Sequence, residues 1–397
     1  MFRGAFLVYS VGLLSMFLAD LLVSSTMSRD DISDWALLRS LIGISAVLPL
    51  TGLDQVLVRR PSASAQVLRL LAFQVPVLAC GVGLILFATG ILPNWWIGGL
   101  LAIGSAASLA QFQYFRSHHQ QVFSQLAQQG WKIAAFAMVG LMVVTGWRGD
   151  LILSGVLLIL SINVLMAWAM LRLPPSSLHP QAAGSAREHY AIGGRFMVTA
   201  FLLALSVYTE QVVVNRLGSN ADSALYFTSA TYFLFPISFI NGYLAFLISP
   251  WLRDRHARFV SLLKSRWLAV VGVAAVTAAG LNALGWGLWH LISPPAGQID
   301  PILQALFFLM ALVRTLYVLP SGYLGVFGMP RQHDVLILTQ IIALAPSIAL
   351  FFLLKWLGAD LVHSVAAASA LNWCCRTFVG YGVTVKVIRL RAGVPAE

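Results

Sequence analysis

The sequence predicts an all-α polytopic membrane protein with about twelve transmembrane helices, set out as two six-helix bundles related by a pseudo-two-fold axis along the membrane normal. Three observations predict it: an apolar composition, the spacing of the apolar runs, and the alternation of basic residues between successive loops. The 397 residues are 59% hydrophobic and only 10% charged, where a soluble domain carries roughly a quarter charged residues. Mean hydropathy is +0.83. A soluble fold has no interior large enough for that much apolar surface, whereas a helix that crosses a bilayer needs about 20 apolar residues. A helix-plus-loop unit of about 30 residues then gives roughly twelve spans.

Runs bounded by turn residues and charges place six spans at about 5–26, 34–57, 66–90, 95–115, 131–147 and 151–172. A second six follow at about 191–215, 224–250, 266–291, 301–327, 334–355 and 361–385. The first run stands behind a single Arg3 and meets no small-residue cleavage site before Ser28, Arg29, Asp30 and Asp31, so it reads as a retained span. Between the two sets, Leu173 to Tyr190 is rich in Pro174, Pro175, Pro180 and small residues. It reads as a cytoplasmic linker, which divides the chain into domains 1–172, 173–190 and 191–397, the last with a short basic tail.

The basic residues set the direction. Of the 25 Lys and Arg, Arg39, Arg314 and Arg376 fall inside spans. Of the others, only Arg29, Arg148, Arg216 and Lys355 fall on one face, and the rest fall on the opposite face, with Lys132 at the start of the fifth span. Lys and Arg resist translocation, so the basic face is cytoplasmic and both termini are expected there. The net charge of +11 and pI near 10.0 have the same cause, and membrane lipids, not nucleic acid, are the expected surroundings. Trp95, Trp96, Trp147, Trp267, Trp289 and Trp356 lie near span ends, where indole favours the interface.

Sliding the second half back by 190 positions sets Gly194, Phe196, Val198 and Leu203 on Gly4, Phe6, Val8 and Leu13, and the lone acid Glu210 on Asp20. Both halves start inside, so the repeat is parallel. Pro49 and Pro236 stand three residues off the same offset and are candidate kinks, together with Pro76, Pro320 and Pro346.

Three segments carry a family likeness. The second span ends in Gly52, Leu53, Asp54, Gln55, Val56, Leu57, Val58, Arg59, Arg60. The seventh carries Glu210, Gln211, Val212, Val213, Val214, followed after a turn by Ala224, Leu225, Tyr226, Phe227. The eighth closes with Ile248, Ser249, Pro250 before a basic loop. With the six-plus-six arrangement, the chain resembles the O-antigen flippase and polysaccharide-transporter family of the multidrug, oligosaccharidyl-lipid and polysaccharide exporter superfamily. The resemblance implies a V-shaped pair of bundles around a central cavity, in a bacterial inner membrane, moving lipid-linked oligosaccharides for surface polysaccharide synthesis. It also implies that a carboxylate on the first helix, here Asp20, couples transport to a cation.

A charge inside a span costs about 2.5–3.5 kcal/mol on insertion scales, so each needs a partner, an aqueous cavity or a function. Arg314 stands about 13 residues from the outer end of the tenth span, near the midplane at ~1.5 Å per residue. Its planar fork suits a pyrophosphate, and Arg376 and Arg39 are further candidates for the headgroup. Arg39 lies at nearly the depth of Asp20, so a structural pair between them is an equal alternative. Asp20 and Glu210 are the candidates for ion coupling. Asn163, Asn241 and Asn372 offer amides to a polar cavity or, alternatively, to neighbouring helices.

Nothing in the sequence marks an enzyme: it has no Walker motif, nucleophile elbow or dinucleotide loop, so no catalytic residue and no cofactor are expected. Cys80, Cys374 and Cys375 have no His or Cys at metal-ligand spacing, and His118 and His119 read as a solvated loop, so no metal is expected either. A cation-coupled antiporter of small amphiphiles is the rival on the same scaffold. A membrane glycosyltransferase, a polymerase or ligase, would need a larger and more basic outer loop than Trp286 to Asp300 provides. Other polysaccharide-assembly membrane proteins are candidate partners of a flippase.

Overall fold

The computed structural model describes residues 2–147, 149–172, 185–295, 297–328 and 330–392; Arg148, positions 173–184 of the expected linker and the end of the basic tail (393–397) lie outside the described residues. Regular structure among the described residues is helical throughout, without strands. Side chains such as Phe73, Val144, Leu268 and Phe378 are more than four-fifths exposed, which a bilayer tolerates and water does not. Among the described residues ten helices are long and apolar enough to cross a membrane, or eleven if a bent pair counts as one span. The twelfth expected span is a 32-residue helix whose His363, Arg376, Lys386 and Arg389 lower its apolar character. The chain is thus a polytopic α-helical membrane protein.

Contacts divide it into two compact units, Met1–Ala221 and Asp222–Glu397. The first contains α1 (Phe2–Thr26), α2 (Arg29–Ser45), α3 (Val47–Leu50), α4 (Leu53–Arg59), α5 (Ser64–Ala88), α6 (Trp95–Ser117), α7 (Gln121–Thr145), α8 (Leu151–Arg172) and α9 (Ala186–Leu217). Ser28 caps α2 by accepting the Asp31 N–H at 3.2 Å, and Asp30 and Asp31 add negative charge to its first turn.

The second span is broken. Pro49 has no N–H for the Ser45 carbonyl, and α2 ends at Ser45. A second break follows at Thr51 and Gly52, with φ of 47° and 75°. Gln74 of α5 repairs it, donating to the Pro49 carbonyl and to the Thr51 hydroxyl, each at 2.9 Å. A Cβ on Gly52 would strike the Gly193 carbonyl, so glycine is required both for its dihedral and for the approach of α9.

The seventh span, α9, packs within the first unit, on the N-terminal side of the division at 221, although the sequence repeat begins with it. It is tied there at both ends. Asn215 donates to the Ser33 carbonyl at 2.9 Å, Arg216 donates to the Thr89 carbonyl at 2.9 Å, and Tyr190 donates to Gln74 at 2.6 Å. Arg60 and Glu188 add an exposed ion pair at 3.0 Å.

Helix α7 begins ten residues before the expected fifth span, at Gln121 instead of 131. Its first half is amide-rich and reads as a loop by hydropathy, yet Ser124, Gln125 and Gln129 are buried. Ser124 donates to the Phe112 carbonyl of α6 at 3.0 Å. The turn before it is correspondingly short, and His118 is buried, with Nδ1 2.9 Å from the Tyr114 carbonyl, in place of the expected solvated position.

The second unit contains most of α10 (Asn220–Phe233), then α11 (Phe235–Asp254), α12 (His256–Ser265), α13 (Trp267–Ile292), α14 (Pro301–Phe327), α15 (Pro330–Trp356) and α16 (Leu361–Ala392). α10 and α11 meet at a bend of 48°. Pro236 has no N–H to donate to the Tyr232 carbonyl, which lies where a Cβ on Gly285 of α13 would fall. Both proline-linked breaks, after Ser45 and at Leu234, therefore sit within two residues of the 190 offset. Pro76, Pro320 and Pro346 are carried inside continuous helices. α12, in the expected cytoplasmic loop, is amphipathic: Phe259 is buried and stacked on Tyr323, while Arg255, Arg258 and Arg266 are exposed.

Candidate functional site

Each unit holds one charged cluster at membrane depth. In the second unit, α14 carries Arg314 and Tyr317 and α16 carries Trp373 and Arg376. A spacing of three residues places each pair on one helical face, in opposite order on the two helices. The helices run parallel, pinned by the Thr377 hydroxyl donating to the Val313 carbonyl at 3.1 Å and by the Tyr381 hydroxyl donating to the Leu316 carbonyl at 2.9 Å. Each guanidinium consequently lies over an aromatic ring of the other helix. Arg314 is 4.7 Å from the Trp373 ring, and Arg376 is 5.1 Å from Tyr317 and 5.7 Å from Trp373.

Both arginines are buried, with 8% and 3% exposure. Desolvated cation–π contacts are worth about 2 kcal/mol and hold two like charges against shared aromatic faces. Gln340 of α15 donates to the Tyr317 hydroxyl at 3.1 Å and fixes that ring. Asn372 is buried four residues before Arg376, on the same face. Asn241 on α11 is half-buried, and its amide oxygen has no hydrogen-bond partner among the described residues. The arrangement places two guanidiniums against aromatic rings in a low-dielectric interior.

In the first unit, Asp20 of α1 is fully buried. Trp35 donates its indole N–H to Oδ1 at 2.9 Å, and Arg39 forms an ion pair with Oδ2. Arg39 is therefore committed to Asp20, the structural pairing that the sequence left open. Lys132 lies within electrostatic range of both. This is a correction: Lys132, sorted with the cytoplasmic loops, is the twelfth residue of α7 and stands inside the span.

Glu210 is buried on α9. The antiparallel packing of α2 and α9 is pinned by Ser33 with Asn215, and by Gly43, where a Cβ would fall on the Tyr208 ring. That register puts Glu210 at the level of Arg39. Asn163 is spent between helices, donating to the Gly104 and Ile159 carbonyls at 2.8 and 2.9 Å while accepting from Ser108 at 3.1 Å.

Sequence reasoning singled out Arg314, Arg376, Asp20 and Glu210, all of which are buried, but did not single out Lys132, Trp35, Trp373 and Tyr317. A signal for the aromatics existed: Trp35 precedes Arg39 by one helical turn, as Trp373 precedes Arg376 and Arg314 precedes Tyr317. Among the described residues no group of three or more His, Cys, Asp or Glu is placed to hold a metal ion.

No family model matches the sequence, and no curated protein matches it. Solved structures do. A chain described as protein A aligns with a TM-score of 0.58 at 14% identity, covering 98% of this chain and 95% of its own. A MATE protein crystallised in complex with MaD3S aligns with a TM-score of 0.54 at 10% identity, with the same coverage. The chain therefore shares the helical fold of these structures over nearly its whole length.

Proposed function

We propose that the chain is a flippase of the multidrug, oligosaccharidyl-lipid and polysaccharide exporter superfamily, moving an undecaprenyl pyrophosphate-linked oligosaccharide across a bacterial inner membrane by alternating access. The observation that carries this reading is the reciprocal pairing of Arg314 and Arg376 with Trp373 and Tyr317. Two buried guanidiniums in one cluster match the charge and oxygen geometry of a pyrophosphate, which accepts bidentate pairs. A cationic drug would be repelled there. Asn372 stands beside them for a sugar hydroxyl, the lipid tail stays in the bilayer, and Asp20 and Glu210 serve ion coupling. The proline-linked breaks in the second and eighth spans supply places for the helices to bend.

The MATE-like fold favours a second reading, a cation-coupled antiporter of small amphiphiles. Reconstitution separates the two. In proteoliposomes containing a fluorescent pyrophosphate-linked oligosaccharide lipid, the flippase reading expects protein-dependent loss of protection from an external lectin. Transport of cationic dyes without lipid flipping would instead support the antiporter. Cytoplasmic termini and a cytoplasmic α12 belong to the same proposal. Reporters active only in the periplasm should be silent at both places, and activity at α12 would overturn the topology.

A further inference from the structure

Between α11 and α13 the chain runs through α12, and this short helix has two unlike sides. The inner side belongs to the core of the second unit. Phe259 stacks on Tyr323 of α14 at 5.2 Å and packs in one cluster with Leu252 and Val387, and His256 Nε2 lies 2.9 Å from the Tyr323 hydroxyl. The outer side shows Arg258, Ser261 and Ser265, which share one face at helical spacing and are all exposed. Arg255 and Arg266 flank the helix at non-helical junctions, with φ of −135° and −128°, and are exposed as well. Among the described residues none of these three guanidiniums is in an ion pair. The stretch 253–266 carries five Lys and Arg against one acid, Asp254. Its depth follows from its neighbour: α13 is apolar enough to cross a membrane and begins at Trp267, directly after Arg266. Trp267 is itself held edge-on to Tyr381 of α16 at 4.6 Å. Arg266 thus stands where the apolar span starts, at the level of the lipid phosphates.

We propose that the outer face of α12, with Arg255, Arg258 and Arg266, binds the phosphodiester headgroups of anionic bilayer phospholipid of the phosphatidylglycerol class. Charge complementarity at headgroup depth selects this occupant. A basic residue at an anionic bilayer surface adds about a fivefold preference, and a guanidinium fork also matches phosphate oxygens in pairs. Phe259 spends the apolar side of α12 on the bundle, so the helix holds its arginines at the surface and does not sink into the acyl chains. The surface is distinct from the buried arginine cluster, because Tyr323 lies nine residues, or ~13 Å along α14, beyond Arg314. The assignment therefore goes beyond the transport reading and does not depend on the cargo.

The experiment is photo-cross-linking of the full-length protein, with p-benzoylphenylalanine in place of Ser261, in nanodiscs of equimolar phosphatidylglycerol and phosphatidylcholine. Lipid adducts are counted by mass spectrometry. Nanodiscs open both faces of the bilayer, so neither topology nor transport enters the readout. With the three arginines in place, phosphatidylglycerol adducts should exceed phosphatidylcholine adducts by at least about tenfold. Replacing them together, Arg255→Gln, Arg258→Gln and Arg266→Gln, should bring the ratio near equality, whereas Lys at the same three positions should keep most of the preference. A control with Arg69→Gln, Arg172→Gln and Arg187→Gln removes the same charge from exposed positions of the first unit and should leave the ratio unchanged. Equal adducts with the arginines present would overturn the proposal. So would the absence of any lipid adduct, as for a face that meets water or a protein, or a control variant that loses the preference as fully as the α12 variant. The flippase reading stands or falls separately, on lipid flipping.

Discussion

Replacing Arg314 by alanine separates a headgroup site from a purely structural contact. The side chain lies 4.7 Å over Trp373, so the fold loses a cation–π contact of up to about 2 kcal/mol. Against a typical stability of about 5–15 kcal/mol, the protein remains folded and inserted. The loss of binding is larger. A bidentate guanidinium–phosphate pair makes two charge-assisted hydrogen bonds of about 1.5–3 kcal/mol each. Losing both weakens a pyrophosphate lipid by at least about 100-fold, at 1.4 kcal/mol per factor of ten. Arg314→Lys should recover part of this, because an ammonium keeps the charge and lacks the fork. Arg376→Ala should be non-additive with Arg314→Ala, since both contact Trp373. The assay is surface polysaccharide per molecule of membrane protein, paired with the affinity of the purified variant for the pyrophosphate lipid. Normal export per molecule in Arg314→Ala would refute the headgroup role. A fall in protein abundance that accounts for the whole export defect would do the same.

Three further outcomes follow from the packing. Arg39→Ala strips the partner from buried Asp20 and should destabilise by about 3–5 kcal/mol, less whatever water reaches the 23%-exposed Arg39 side chain. Adding Asp20→Asn should return much of the loss in a thermal melt, and no return would mean that the pair is not the coupled unit described. Gln74→Leu should cost about 1–3 kcal/mol by orphaning the Pro49 carbonyl and the Thr51 hydroxyl; an unchanged melt would show that the broken span does not depend on this repair.

At the N-terminal ends of α14 and α16, His363 bridges the two capping carboxylates Asp300 and Asp360. Burial opposes ionisation at both acids, but the Leu303 N–H and His363 at Asp300, and the His363 backbone and side chain at Asp360, outweigh it and hold both carboxyls below the ordinary value. A depressed carboxyl adds stability that is present above its unfolded pKa and is lost as pH falls through the folded one. His363→Ala should therefore lower stability near neutrality by about 1 kcal/mol, given the partial exposure of the group. The gap to wild type should close below about pH 4. A gap that persists in acid would assign the effect to packing.

The sequence by itself determined the helices, their order and the short list of charges that fall inside them. Apolar periodicity and capping residues such as Ser28 and Asp300 act over one or two turns, and a lone Arg314 or Asp20 is conspicuous because a bilayer penalises it. Pro49 and Pro236 likewise announce their breaks, since the missing N–H is a local property. Tertiary structure alone decided the partners. That Arg314 rests on Trp373 and Arg376 on Tyr317 depends on α14 and α16 being parallel neighbours, and that Arg39 belongs to Asp20 depends on where α2 turns back against α1. Hydropathy also misjudged the start of α7, because it scores each amide and Lys132 as if it faced water. In the folded unit Gln125 and Gln129 are buried and Lys132 is within electrostatic reach of Asp20. For the same reason the seventh helix joins the first unit although the repeat begins with it: hydrogen bonds from Asn215, Arg216 and Tyr190 reach residues more than a hundred positions earlier, beyond the range of any sequence window.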